Sequence, residues 1–167
     1  MPPKFATKRV LPNNASPVGL LSPVTLAHAP TPHTISSMPK IVRFHQVGGP
    51  EVLKLEELPA PKPQKDEVLI KVDAIGLNRA ESMFRSGQYL EQPKFPAGLW
   101  YEASGTVEEV GPGVTSLKPG DRVSSIPSFS LLKYGTYGEV ALLPVHALAK
   151  YPENLTRSRV PRSGCNT

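Results

Sequence analysis

Hydrophobic and polar positions alternate through the middle of this chain with a period close to two, the signature of strands with one face buried. Ile41 to Val47 reads as a strand, Gly48-Gly49-Pro50 as a turn, and Val52 to Leu58 as the returning arm of a hairpin. Pro59, Pro61 and Pro63 predict an extended connector. Val68 to Ile75 is the strongest strand, with Val68, Ile70 and Val72 on one face. Further strands are predicted at 101–110, 122–126, 137–143 and 146–151. One segment departs from the pattern. Asn78 to Ser86 reads as a short helix, with Asn78 as cap, Glu81 three residues on as in a capping box, and Gly87 as the stop. Gly111-Pro112-Gly113 and Lys118-Pro119-Gly120 have the form of type II turns, in which proline sets φ near −65° and glycine supplies the positive φ that follows.

Composition supports the strand reading. The 167 residues are enough for one domain of ordinary size, and 20 prolines with 13 glycines argue for a loop-rich, mainly β chain rather than a helical bundle. The single cysteine, Cys165, excludes a disulfide framework and any Cys₂ or Cys₄ zinc site within the chain. No apolar run approaches the ~18 residues of a membrane span.

The net charge of +5 changes meaning once it is located. Residues 1–37 hold Lys4, Lys8 and Arg9 and no acid, and residues 157–167 hold Arg157, Arg159 and Arg162 and no acid. Residues 38–156 hold the other 13 basic residues and all 14 acids, so nucleic acid is not an expected partner of the core. The first 37 residues, with seven prolines and eight serines or threonines, read as a disordered leader or a transit peptide, or else the native chain starts at Met38.

Five stretches give the core a family resemblance: VRFHQVGGPEVLKLEE (42–57), DEVLIKVDAIGLNRAESMFRSGQY (66–89), YEASGTVEEVGPGV (101–114), KPGDRV (118–123) and YGTYGEVALLP (134–144). In this order they resemble the N-terminal domain of the zinc-independent medium-chain dehydrogenase/reductase superfamily, in its quinone-oxidoreductase-like branch. The resemblance implies a mainly β fold over 38–156, a GroES-like, partly open β-barrel with one short helix. It also implies a second, Rossmann-type domain that binds NADPH, and no G-x-G-x-x-G fingerprint for such a domain occurs in these 167 residues. After Thr156 the sequence leaves the family pattern, and 157–167 reads as a truncated or alternatively spliced ending.

The same resemblance nominates residues. Zinc-dependent relatives bind their metal through a Cys and a His of this domain; Asn78 and Tyr101 stand at those positions and are no zinc ligand pair, so no zinc is expected. Asn78 is the first candidate for holding cofactor or substrate, since an amide both donates and accepts, although its capping role alone would account for it. Met83 is expected to face the nicotinamide or to make an ordinary apolar contact. Tyr89 corresponds to a tyrosine linked to proton donation in enoyl-reductase relatives, and otherwise packs at a cleft rim with its hydroxyl in water. Glu102 is expected to hydrogen-bond in the interior, and Trp100 stands where the family usually has glycine. His45 and His146 are expected in strands as surface or packed residues, and no H-E-x-x-H or G-x-S-x-G motif supports a hydrolase.

Two functions follow. The first is the substrate-binding part of an NADPH-dependent oxidoreductase that reduces quinones or conjugated enones without zinc, inactive without the cofactor domain. The second is a non-catalytic module that pairs with a full-length relative. A cytoplasmic location is expected, or a mitochondrial or plastid one if the leader is a transit peptide.

Overall fold

The structure, a computed structural model, describes residues 36–99 and 101–151. The expectations for residues 1–35, for the tail at 157–167 and for Trp100 lie outside the described residues. Eight strands and one helix follow in order: β1 (Lys40–Phe44), β2 (Lys54–Glu57), β3 (Glu67–Gly76), α1 (Arg79–Arg85), β4 (Ala97–Gly98), β5 (Glu102–Val110), β6 (Arg122–Ser125), β7 (Val140–Pro144) and β8 (Leu148–Lys150). They form a three-stranded sheet, β2-β1-β4, and a five-stranded sheet, β7-β3-β5-β6-β8, all antiparallel and without a closed barrel among the described residues.

β3, rich in Val and Ile, is central because it pairs on both edges, with β5 on one side and β7 on the other. Val68 and Ile70 from β3 meet Ala103, Val107, Val123 and Leu143 in an aliphatic cluster with almost no exposed surface. Each Val, Ile or Leu side chain among them contributes roughly 1.5–3 kcal/mol through burial. The two proline–glycine turns deliver β5 to β6: Gly113 and Gly120 both sit at φ +89°. Val114 N–H bonds to the Gly111 carbonyl at 3.3 Å and Asp121 N–H to the Lys118 carbonyl at 3.1 Å, as type II turns require.

Residues 137–139 differ from the sequence reading. They do not belong to β7; they bind β1 instead. Val42 N–H donates to the Tyr137 carbonyl at 2.7 Å and Glu139 N–H to the Lys40 carbonyl at 2.9 Å. The Glu139 carbonyl also accepts Val72 N–H of β3 at 2.9 Å, so this short segment joins the two sheets. His146 lies in a 3₁₀ turn, Val145–Ala147, rather than a strand, and β8 starts at Leu148. Pro50–Val52 is likewise a 3₁₀ turn that delays β2 to Lys54. β4 is two residues long and has no sequence signal of its own.

Candidate functional site

The second cluster of buried residues is aromatic. Phe44 of β1 meets Phe84 of α1 edge to face at 6.0 Å, and Phe84 meets Tyr89 at 6.4 Å. Tyr101 and Tyr137 pack against the same group, with Val52, Ala97, Leu99 and Leu131. Phe84 thus fastens α1 onto the smaller sheet, and α1 buries Glu81 beside it.

That burial brings charge into an apolar wall. Asn78 and Glu81 form the expected capping box, in which the Glu81 carboxylate accepts the Asn78 backbone N–H at 3.1 Å. The same carboxylate oxygen, Oε2, accepts the Tyr137 hydroxyl at 2.5 Å. Glu81 is only 4% exposed, and its other oxygen, Oε1, has no hydrogen-bond partner among the described residues. Burial holds the Glu81 carboxyl above the usual carboxylate range and the charge of Glu102 adds to this, while the bonds from Tyr137 and Asn78 pull the other way. Burial and the Glu81 bond also push the Tyr137 phenol up.

A second polar pair lies within the same aromatic group. The hydroxyls of Tyr89 and Tyr101 are 2.8 Å apart. The Tyr89 hydroxyl therefore has a bonding partner inside the protein. Tyr101 is pushed up by burial first and then by its bond to Tyr89, with Glu91 and Glu81 adding their charge. The start of β5 is itself secured: Ser125 Oγ donates to the Tyr101 carbonyl at 2.9 Å and accepts Ala103 N–H at 2.8 Å.

The nominated residues fall into place unequally. Asn78 stands at the entrance of α1, half-buried, and its Nδ2 is a buried donor without a partner among the described residues. Met83 lies on α1 with 37% of its surface exposed, whereas the buried residues of that helix are Glu81 and Phe84. Glu102 is buried, as an interior role demands. His45 is exposed and contacts Glu56 at 2.5 Å, and His146 is exposed beside the Ser128 carbonyl. Among the described residues no group of three or more His, Cys, Asp or Glu side chains could hold a metal ion. No helix of those residues is long and apolar enough to cross a membrane.

Sequence reasoning saw Glu81 only as a cap, Tyr101 only as a replaced ligand position, and Tyr137 not at all. The capping-box spacing could have marked Glu81. Nothing local marks Tyr137, because its partner lies 56 residues away.

Comparison with known proteins agrees with this architecture. Residues 64–153 match the alcohol dehydrogenase GroES-like domain. Quinone oxidoreductase of Homo sapiens is 40% identical over 117 residues, which cover 70% of this chain and 34% of that protein. Escherichia coli quinone oxidoreductase, in a crystal structure complexed with NADPH, superposes with a TM-score of 0.66 at 33% identity, covering 75% of this chain and 37% of that one. The Pseudomonas syringae pv. tomato quinone oxidoreductase gives a TM-score of 0.65 at 39% identity, over 72% and 35% of the two chains. The chain thus spans about a third of the length of the relatives it matches. The chain belongs to the alcohol dehydrogenase GroES-like domain family, in the quinone-oxidoreductase-like branch of the medium-chain dehydrogenases/reductases.

Proposed function

We propose that this chain is the substrate-side part of an NADPH-dependent oxidoreductase that reduces quinones or conjugated enones by direct hydride transfer without zinc, with residues 38–156 forming the GroES-like domain. The observation that carries the reading is the Asn78 carboxamide, whose buried Nδ2 has no hydrogen-bond partner among the described residues. An unsatisfied buried donor costs roughly 1–3 kcal/mol, which an oxygen from outside the described residues would remove. A nicotinamide carboxamide, a ribose hydroxyl or an acceptor carbonyl each supplies such an oxygen, so the residues present fit the cofactor.

NADPH, when bound, supplies the hydride. The chain's own groups would orient and protonate. Asn78 donates from Nδ2 to the ligand oxygen, and Met83 offers a soft apolar surface beside it. For a conjugated enone, hydride added at the β-carbon leaves an enolate, to which the Tyr89 hydroxyl gives its proton. The Tyr101 hydroxyl, bonded to it at 2.8 Å, is placed to return one. For a quinone the same phenol would protonate a ring oxygen.

The test is a titration of the 167-residue chain with NADPH and with duroquinone, following the Asn78 side-chain amide by NMR. Saturable movement of that resonance supports the assignment. An Asn78 amide indifferent to both probes overturns it. Because the glycine fingerprint is absent, NADPH oxidation by this chain alone is expected to stay at background. Turnover at ordinary enzyme rates, about 1–10³ s⁻¹, would show that the chain holds the hydride carrier by other means.

A second reading, a non-catalytic module that pairs with a full-length relative, draws on Leu77, 80% exposed next to Asn78, and on the exposed Leu90. Co-purification with a full-length relative, abolished by Leu77→Glu, would favour it over catalysis.

A further inference from the structure

Two phenols whose oxygens lie 2.8 Å apart share one proton between them, and the distance does not say which of them gives it. The rings themselves are held. Tyr89 meets Phe84 edge to face at 6.4 Å, and the Tyr101 backbone is fixed through Ser125 Oγ, which donates to its carbonyl at 2.9 Å. What is left to settle is the direction of the bond, and the surroundings of Tyr101 point one way. Two carboxylates act on that phenol, Glu91 and Glu81, and neither accepts its proton. The Glu91 oxygens take the Ser130 hydroxyl at 2.9 Å and the Leu131 N–H at 3.0 Å. Glu81 Oε2 takes the Tyr137 hydroxyl and the Asn78 N–H, and its Oε1 bonds to nothing among the described residues. Among those residues the Tyr89 oxygen is the one acceptor that the Tyr101 hydroxyl meets. Burial and the two negative charges keep the Tyr101 proton in place, and a part-buried hydroxyl gives its proton to the acceptor it has rather than leave it unpaired.

We infer that Tyr101 is a positioning residue for Tyr89: its hydroxyl donates to the Tyr89 oxygen, so that the Tyr89 O–H is turned away from the pair and kept for the acceptor. The role rests on the reading of Tyr89 as proton donor made above, and Tyr101 itself need not touch the ligand. The same direction serves the step. When Tyr89 protonates the enolate, its O–H bond breaks and the negative charge moves to the Tyr89 oxygen, where the Tyr101 O–H already points. A hydrogen bond to a charged oxygen is about twice as strong as one to a neutral oxygen.

The experiment uses the 167-residue chain with ¹³C-labelled tyrosine, as wild type, Tyr101→Phe and Tyr89→Phe. Without ligand, and in the wild type alone, the hydroxyl proton shared by the pair is assigned by its long-range ¹H–¹³C correlation. A correlation to Cζ of Tyr101 is expected. A correlation to Cζ of Tyr89, or no protected hydroxyl proton at this pair, overturns the inference whatever the variants do. With duroquinone bound, the quinone carbonyl stretch is then followed by infrared spectroscopy, together with the apparent Kd. Tyr101→Phe keeps the ring and removes one hydroxyl. It should shrink the shift of the bound carbonyl band and weaken binding about two- to tenfold, the range of one lost orienting hydrogen bond. Tyr89→Phe should abolish the shift. An unchanged band and Kd in Tyr101→Phe, or a larger shift because Tyr89 has been released, would also overturn the inference. A wild type that does not bind duroquinone, or a bound carbonyl band that ignores Tyr89→Phe, would instead sink the reading of Tyr89 beneath it.

Discussion

Two buried glutamates, each bonded to a tyrosine, divide this molecule into a scaffold and a site. Glu67 opens β3 on the five-stranded sheet. It accepts Gln64 N–H at 3.0 Å, the Tyr134 hydroxyl at 3.1 Å and the Lys133 ammonium at 3.0 Å, so both of its oxygens are used. Burial alone would raise its pKa, but these bonds outweigh it and hold the carboxyl below the usual range. Glu81, on α1, is as deeply buried but has a phenol and one backbone N–H for company, no cation in ion-pair range among the described residues and a second carboxylate, Glu102, near enough to repel it. Its carboxyl is held above the usual range. A fully satisfied charge serves structure. Glu81 is left with one oxygen, Oε1, that has no hydrogen-bond partner among the described residues.

The largest expected effect separates the two regions by packing. Phe84→Ala should cost about 3–5 kcal/mol in urea unfolding and disperse the resonances of Asn78, Tyr89 and Tyr101, since the Phe84 ring packs α1 into the aromatic group. Ile70→Ala, in the aliphatic cluster, should cost about 2–5 kcal/mol yet leave those resonances where they are. Equal disturbance of the site by both changes would erase the division.

The next effect has opposite signs in the two regions. Glu67 is depressed on folding, so its stabilisation is present above the unfolded value and is lost as pH falls through the folded one. Glu81 is raised, so its contribution is full below the unfolded value near 4.5 and is lost as pH rises through the folded one. Relative to Glu67→Gln, the wild type should therefore lose urea resistance as pH falls below about 4.5. Relative to Glu81→Gln it should lose resistance as pH rises from there toward neutrality. Slopes of the same sign would show that the two carboxylates do not differ.

The smallest effect isolates the cation. Lys133→Met keeps the aliphatic stem but withdraws the ammonium from Glu67, and should raise the Glu67 carboxyl in a ¹³C titration without moving Glu81. A Glu67 that titrates as before would mean that Gln64 and Tyr134 suffice.

Much of the fold was legible because its signals are local. The alternation of Val68, Ile70 and Val72 marks β3, and the Pro–Gly pairs at 112–113 and 119–120 mark two turns. Asn78 with Glu81 and Gly87 brackets α1 to within a residue. The errors are local as well. Tyr137 to Glu139 has the composition of a strand and was assigned to β7, but its hydrogen bonds run to β1, with others to Leu99 and to Val72 of β3; pattern cannot say which neighbour a strand residue will meet. His146 looked like strand, and the backbone turns there because β7 ends at Pro144 and the chain must reverse toward β6. β4 is too short to carry a period at all.

The sequence by itself determined the elements, the antiparallel β character and the family, since each depends on residue order over a few to a few dozen positions. It also named Asn78 and Tyr89 through resemblance. Only the tertiary structure decided that Tyr89 meets Tyr101, that Tyr137 meets Glu81, and that Glu67 and Glu81 part ways. The physical reason is that a hydrogen bond or a pKa depends on distance and burial, and in this chain the groups that set both come from positions 12 to 67 residues apart.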